Sequence, residues 1–133
     1  MLDVMKRAGA RGWDWLKKRM IPAVRAKSPG ELFEESVKNT FRKKIIRENE
    51  ILRDADGKVI GEIDFETAEA IVEVGLSLRD KVDQLHRLAD VAKQRAKRLD
   101  VIYGPNTSSG TLKFLRESLG KKWGNRVRFI PHE

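Results

Sequence analysis

Lys58-Val59-Ile60-Gly61-Glu62-Ile63-Asp64-Phe65, then Glu66-Thr67-Ala68-Glu69, then Ala70-Ile71-Val72-Glu73-Val74-Gly75-Leu76: this stretch decides the fold. Two runs rich in β-branched residues are joined by a short polar step and preceded by the turn signal Asp54-Ala55-Asp56-Gly57, which predicts a pair of strands. Side chains alternate faces along an extended chain. Val59, Ile63 and Phe65 are therefore expected on one face of the first strand, and Ile60, Glu62 and Asp64 on the other. In the second strand Ile71, Glu73 and Gly75 share a face opposite Val72, Val74 and Leu76. Ile71-Val72-Glu73-Val74 is apolar except for one carboxylate, the pattern of a central strand covered on both sides, where an unpaired charge is costly.

Outward from the hairpin, the pattern predicts helices that cover such a sheet. Upstream, Ser28-Pro29-Gly30-Glu31 has the residues of a helix start, and Phe33, Val37 and Phe41 form an apolar stripe over a helix running to about Lys44. Ile45 to Leu52 is a candidate extra strand. Downstream, Val82, Leu85, Leu88, Ala89, Ala92, Ala96 and Leu99 predict one long helix from about Leu78 to Arg98. A strand over Asp100 to Tyr103, a Gly104-Pro105-Asn106 turn, a helix from about Ser109 to Leu119 and a closing strand from Arg126 to Ile130 complete the order. The class is α/β, a central mixed sheet of four to five strands flanked by helices. Residues 1–27, basic and carrying Trp13 and Trp15, form a helical appendage, and residues 28–133 form the domain proper.

Composition bounds the chemistry. The 133 residues suit one core. The 28 Lys and Arg against 20 Asp and Glu leave a formal charge of +8, which draws polyanions, so nucleic acid is the leading partner class and an acidic protein the second. The absence of cysteine excludes disulfides, thiolate zinc sites and thiol nucleophiles. No apolar run reaches the roughly 20 residues of a membrane helix, so the chain reads as soluble, without stable membrane insertion.

If the two strands form a hairpin, Asp64 and Glu73 can converge across it, and paired carboxylates suit the hard oxygen coordination of Mg2+ or Mn2+ better than that of Zn2+. Without a cation they repel, and one pKa rises. On the helical wheel Glu34 falls beside the Phe33, Val37 and Phe41 stripe, while Glu35 falls nearly opposite; Glu34 is the candidate third ligand. Read without this chemistry, Glu73 is an edge-strand glutamate paired with a basic side chain, Asp64 caps a turn, and Glu34 is a solvated helix residue. Arg95, Lys97, Arg98, Lys121 and Lys122 are candidates for tracking a phosphate backbone, with solvated faces as the plain reading of such runs. Trp123 is expected to cap the core and His86 to pack against it.

Gly61-Glu62-Ile63-Asp64, eight residues, then Glu73-Val74-Gly75 resembles the signature of the PD-(D/E)XK nucleases. The helix Gly30-Glu31-Leu32-Phe33-Glu34 and the segment Lys81-Val82-Asp83-Gln84-Leu85 resemble the family's flanking helices. The resemblance implies a restriction-endonuclease-like core in which Asp64, Glu73 and Glu34 hold divalent metal and Gln84 contributes to the site. More narrowly, size, charge and motif spacing are similar to C-terminal toxin domains of contact-dependent growth inhibition and related polymorphic toxin systems. That likeness implies a domain secreted as part of a larger toxin and delivered to the cytoplasm of a target bacterial cell. There it would cleave tRNA or DNA, with a cognate immunity protein protecting the producer. Gly75 departs from the family, whose third motif ends in a lysine or another polar residue. Lys81 and Lys93 are the substitutes, roughly 18 Å apart along a helix and so not both usable by one phosphate. Lys93 has the better radial position, Lys81 the better axial one, and Lys93 is preferred. Two competing readings keep the fold without catalysis: a nucleic-acid-binding module, favoured by Gly75, and a domain that binds an acidic protein.

Overall fold

Ser28 opens the first helix with a reciprocal capping box. Its hydroxyl accepts the Glu31 amide at 3.2 Å and the Glu31 carboxylate accepts the Ser28 amide at 2.8 Å. Pro29 takes the first helical position, where its missing N–H is no loss. The computed structural model describes residues 26–133; the appendage expected over residues 1–27 lies, through residue 25, outside the described residues.

Helix α1 (Pro29–Phe41) passes through a 3-10 turn, Arg42–Lys44, into β1 (Arg47–Arg53). Then follow β2 (Val59–Glu66), β3 (Ala70–Gly75), α2 (Val82–Gln94), β4 (Arg98–Tyr103), α3 (Ser109–Trp123) and β5 (Val127–Pro131). The five strands form one mixed sheet in the order β1-β2-β3-β4-β5. The β1–β2 and β2–β3 pairs are antiparallel; β3–β4 and β4–β5 are parallel. Parallel neighbours need long crossovers, and α2 and α3 supply them. The chain is therefore α/β, a five-stranded mixed sheet flanked by helices.

Each face of the sheet has its own core. Leu85, Leu88 and Ala89 of α2 and Leu115 and Leu119 of α3 pack with Ile63, Ile71, Leu99 and Val101. On the opposite face Phe33 and Val37 of α1 pack with Phe65, Val72, Val74 and Ile102. Covering both faces explains why β3 is buried along its whole length. Glu73 is thus on a central strand, not an edge.

Two local expectations are corrected. Ile63 and Phe65, expected on one face, pack in opposite layers. Asp64 lies between them, where the ladders break. The β2–β3 register comprises Phe65–Val72 and Glu66–Ile71. Across β1, Asn49 stands between the Glu48–Phe65 and Glu50–Ile63 pairs with φ at +53°, a left-handed conformation that interrupts the pleat. The long helix expected from Leu78 to Arg98 is also shorter at both ends. It closes on a Schellman motif at its C-terminus: the Ala96 amide donates to the Lys93 carbonyl and the Lys97 amide to the Ala92 carbonyl, with Ala96 at φ +58°. Alanine stands where glycine is usual, so the stop left no glycine signal.

Candidate functional site

Glu73 lies on β3 beneath α2 with only 2% of its surface exposed. The first turn of α2 reaches down to it. Lys81, at the helix N-cap, donates from Nζ to Oε2 at 3.1 Å, and Gln84, three residues on and so on the same face, donates from Nε2 to the same oxygen at 3.0 Å. The other oxygen, Oε1, is buried without a hydrogen-bond partner. A buried carboxylate oxygen left unsatisfied is expensive, and burial raises the Glu73 pKa despite the opposing charge of Lys81.

Asp64 enters from β2 at the place where β2 and β3 part. Its Oδ2 accepts the Val74 amide at 2.7 Å, so a side chain takes the place of a backbone ladder bond. Burial first, and the facing Glu73 charge second, push its pKa from 3.8 up to about 8, against the lowering effect of the Val74 amide. The hairpin does bring Asp64 and Glu73 together. Proton sharing or a cation relieves such a pair, and the orphaned Glu73 Oε1 is the atom that relief would satisfy.

Glu34 is on the inward side of α1, as its phase predicts, whereas Glu35 is exposed and paired with Lys27 at 2.8 Å. The negative charge of Glu34 raises both Asp64 and Glu73. Its carboxylate is nevertheless engaged by Lys38 at 3.0 Å, and Lys38 also holds Glu48 and Asn49. The expected three-carboxylate metal set is not assembled: among the described residues no group of three or more His, Cys, Asp or Glu side chains is gathered for a metal ion. Two carboxylates with an unsatisfied buried oxygen still fit a cation such as Mg2+, which keeps most of its waters and takes one or two protein carboxylates.

Of the two candidate lysines the structure places Lys81 beside Glu73, not the preferred Lys93. The buried stripe of α2 is Leu85, Leu88, Ala89 and Ala92; Lys93, in the last turn, lies to one side of it and is exposed. At Gly75, a Cβ would lie 2.8 Å from Leu78 Cδ2 and 3.7 Å from Lys81 Nζ. Glycine here makes room for Leu78 and for the Lys81 ammonium, which stands beside the position a motif lysine would start from.

Three of the residues expected to track phosphate are committed inside the protein. Arg95 bridges Glu66 at 2.7 Å and Glu50 at 2.8 Å, Lys97 pairs with Glu66 and donates to the Thr67 carbonyl, and Arg98 donates to Asp100 at 3.0 Å. Glu66, buried at the β2 end, needs these cations. Their place as a free basic strip is thereby corrected, since alternation in sequence does not tell which cations a buried acid will claim. Lys121 and Lys122 are exposed in the last turn of α3, with Lys122 over the Trp123 ring at 5.1 Å. Trp123 packs against the core and its indole N–H donates to His86 Nδ1 at 2.9 Å, so both take the packing roles expected of them. No helix among the described residues is long and apolar enough to cross a membrane.

The sequence reading passed over Phe114, which lies 56% exposed in a groove beside Lys81. Its signal was present: Leu112, Leu115 and Leu119 form the inward stripe of α3, and an aromatic ring off that stripe has no core to fill. Comparison of the chain with protein-family models, curated proteins and solved structures finds no match.

Proposed function

We propose that this chain is a metal-dependent nuclease with a restriction-endonuclease-like core, acting on the phosphodiester backbone of tRNA or DNA, with tRNA preferred. The observation that carries this reading is the acid pair at the β2–β3 gap: Asp64 with a pKa raised to about 8, beside a fully buried Glu73 whose Oε1 has no partner. Either a proton held between the two acids or a cation satisfies that oxygen, and the site offers a cation two converging carboxylates in which to sit. A divalent ion held there supplies a Lewis acid that acidifies water and offsets charge on the phosphate. The protein's own groups do the rest. Gln84 and Lys81 pin Glu73 through Oε2, the Val74 amide orients Asp64, and Lys81 adds positive charge where negative charge gathers on the phosphate in the transition state. Delivery as a toxin domain to a target cell and neutralisation by an immunity protein rest on the motif resemblance described above.

The test is cleavage of total tRNA and of plasmid DNA by the purified chain in Mg2+ or Mn2+, with and without chelator. Metal-dependent cleavage that is lost in Asp64→Asn and Glu73→Gln is expected. Chelator-insensitive cleavage, or a folded protein inert on both substrates in either metal, would overturn the reading. Salt-sensitive binding without turnover would instead support a non-catalytic nucleic-acid-binding module.

A further inference from the structure

Lys81 faces two ways. Besides Glu73 it borders an open groove of about 450 Å3 between the loop after β3 and the first turns of α3. Leu78 and Leu115, both buried, lie under its floor, Val82 is half-buried at its side, and the Phe114 ring stands exposed along it. The rim is cationic through Lys81 and Arg79; Asp80, also on the rim, is highly exposed and sits 4.0 Å from Arg79. The first turn of α3 holds no acidic residue, and nothing lies within 4 Å of where a Cβ on Gly110 would project. An exposed aromatic face beside the highly exposed Arg79 and the partly exposed Lys81 matches a nucleotide, a π-surface carrying a phosphate.

We propose that this groove seats one unpaired nucleotide of the substrate strand, its base stacked on Phe114 and its phosphate drawn by Lys81 and Arg79 towards Asp64 and Glu73. This rests on the nuclease reading and narrows its substrate to nucleic acid with a single-stranded segment, such as a loop. A base inside a duplex already has both faces stacked and cannot enter a recess of this kind without being turned out of the helix. A single-stranded base offers a free face at little cost.

Binding measured in chelator separates this inference from catalysis. Fluorescence anisotropy is followed for a fluorescein-labelled single-stranded RNA of about twelve nucleotides and for the same strand in a perfect duplex. The wild-type protein is expected to prefer the single strand. Phe114→Leu, which keeps an apolar side chain at an exposed position, should weaken single-strand binding between about fivefold and about a hundredfold and leave duplex binding unchanged, with Phe114→Trp restoring it. Loss of affinity equal for strand and duplex, or no loss at all, would overturn the proposal. Absence of metal-dependent cleavage with the Phe114-dependent preference intact would refute the nuclease reading alone, and cleavage with Phe114-independent binding would refute the groove alone. Thermal melts of both variants verify that the fold is retained.

Discussion

Asp64→Asn is expected to stabilise the metal-free protein, and to do so more as the pH rises. In the unfolded chain this carboxyl ionises near 3.8; in the folded protein it holds its proton up to about 8. A group whose folded pKa is raised favours folding only while both states are protonated. Between these values the unfolded chain releases a proton that the native state keeps, so stability falls with rising pH, at about 1.4 kcal/mol per unit and about 4 kcal/mol in all by pH 7. Water entry and relaxation around the pair moderate that cost, leaving an expected gain for the variant of about 1 to 3 kcal/mol at neutral pH. The asparagine oxygen can still accept the Val74 amide, and its amide group can donate to the orphaned Glu73 Oε1. Urea denaturation of both proteins in chelator from about pH 4 to about pH 9 is the assay, and subtracting the two curves cancels the titrating groups that do not face Asp64, leaving the Asp64–Glu73 pair. The difference should grow from about pH 4 and level off above about pH 8. Excess Mg2+ should narrow it by stabilising the wild type alone. A difference that is flat across the range, or one that shrinks as pH rises, would refute the buried acid pair.

Lys81→Met should lower turnover by about a hundredfold or more, because it removes the cation at Glu73, whereas Lys93→Met, at an exposed position, should cleave and melt like wild type; steady-state rates and melting curves of the two variants decide between the lysines. Gly75→Ala should destabilise by about 1 to 3 kcal/mol in urea, since its Cβ meets Leu78 Cδ2 at 2.8 Å and the loop after β3 must move. An unchanged denaturation midpoint would mean that Leu78 gives way freely.

The elements themselves were legible in the sequence because each is a local pattern. Runs rich in β-branched residues marked β2 and β3, the Ser28-Pro29-Gly30-Glu31 start marked α1, and a lone carboxylate in Ile71-Val72-Glu73-Val74 marked a residue on a covered central strand. The phase of α1 was enough to separate Glu34 from Glu35. What tertiary structure alone decided are the partnerships. Ala96 adopts a left-handed conformation where the chain turns back into β4, ending the helix before the last apolar positions expected of it, and Lys93 lies exposed off the stripe of Leu85, Leu88, Ala89 and Ala92. Ile63 and Phe65 part because the ladders open around Asp64, a long-range event that alternation cannot register. Glu66 claims Arg95 and Lys97, and Lys38 claims Glu34, because a buried or half-buried charge takes whichever opposite charge the fold brings within reach. Local periodicity indicates which way a side chain points where an element stays regular; only packing between distant segments determines where that regularity breaks and what each side chain meets.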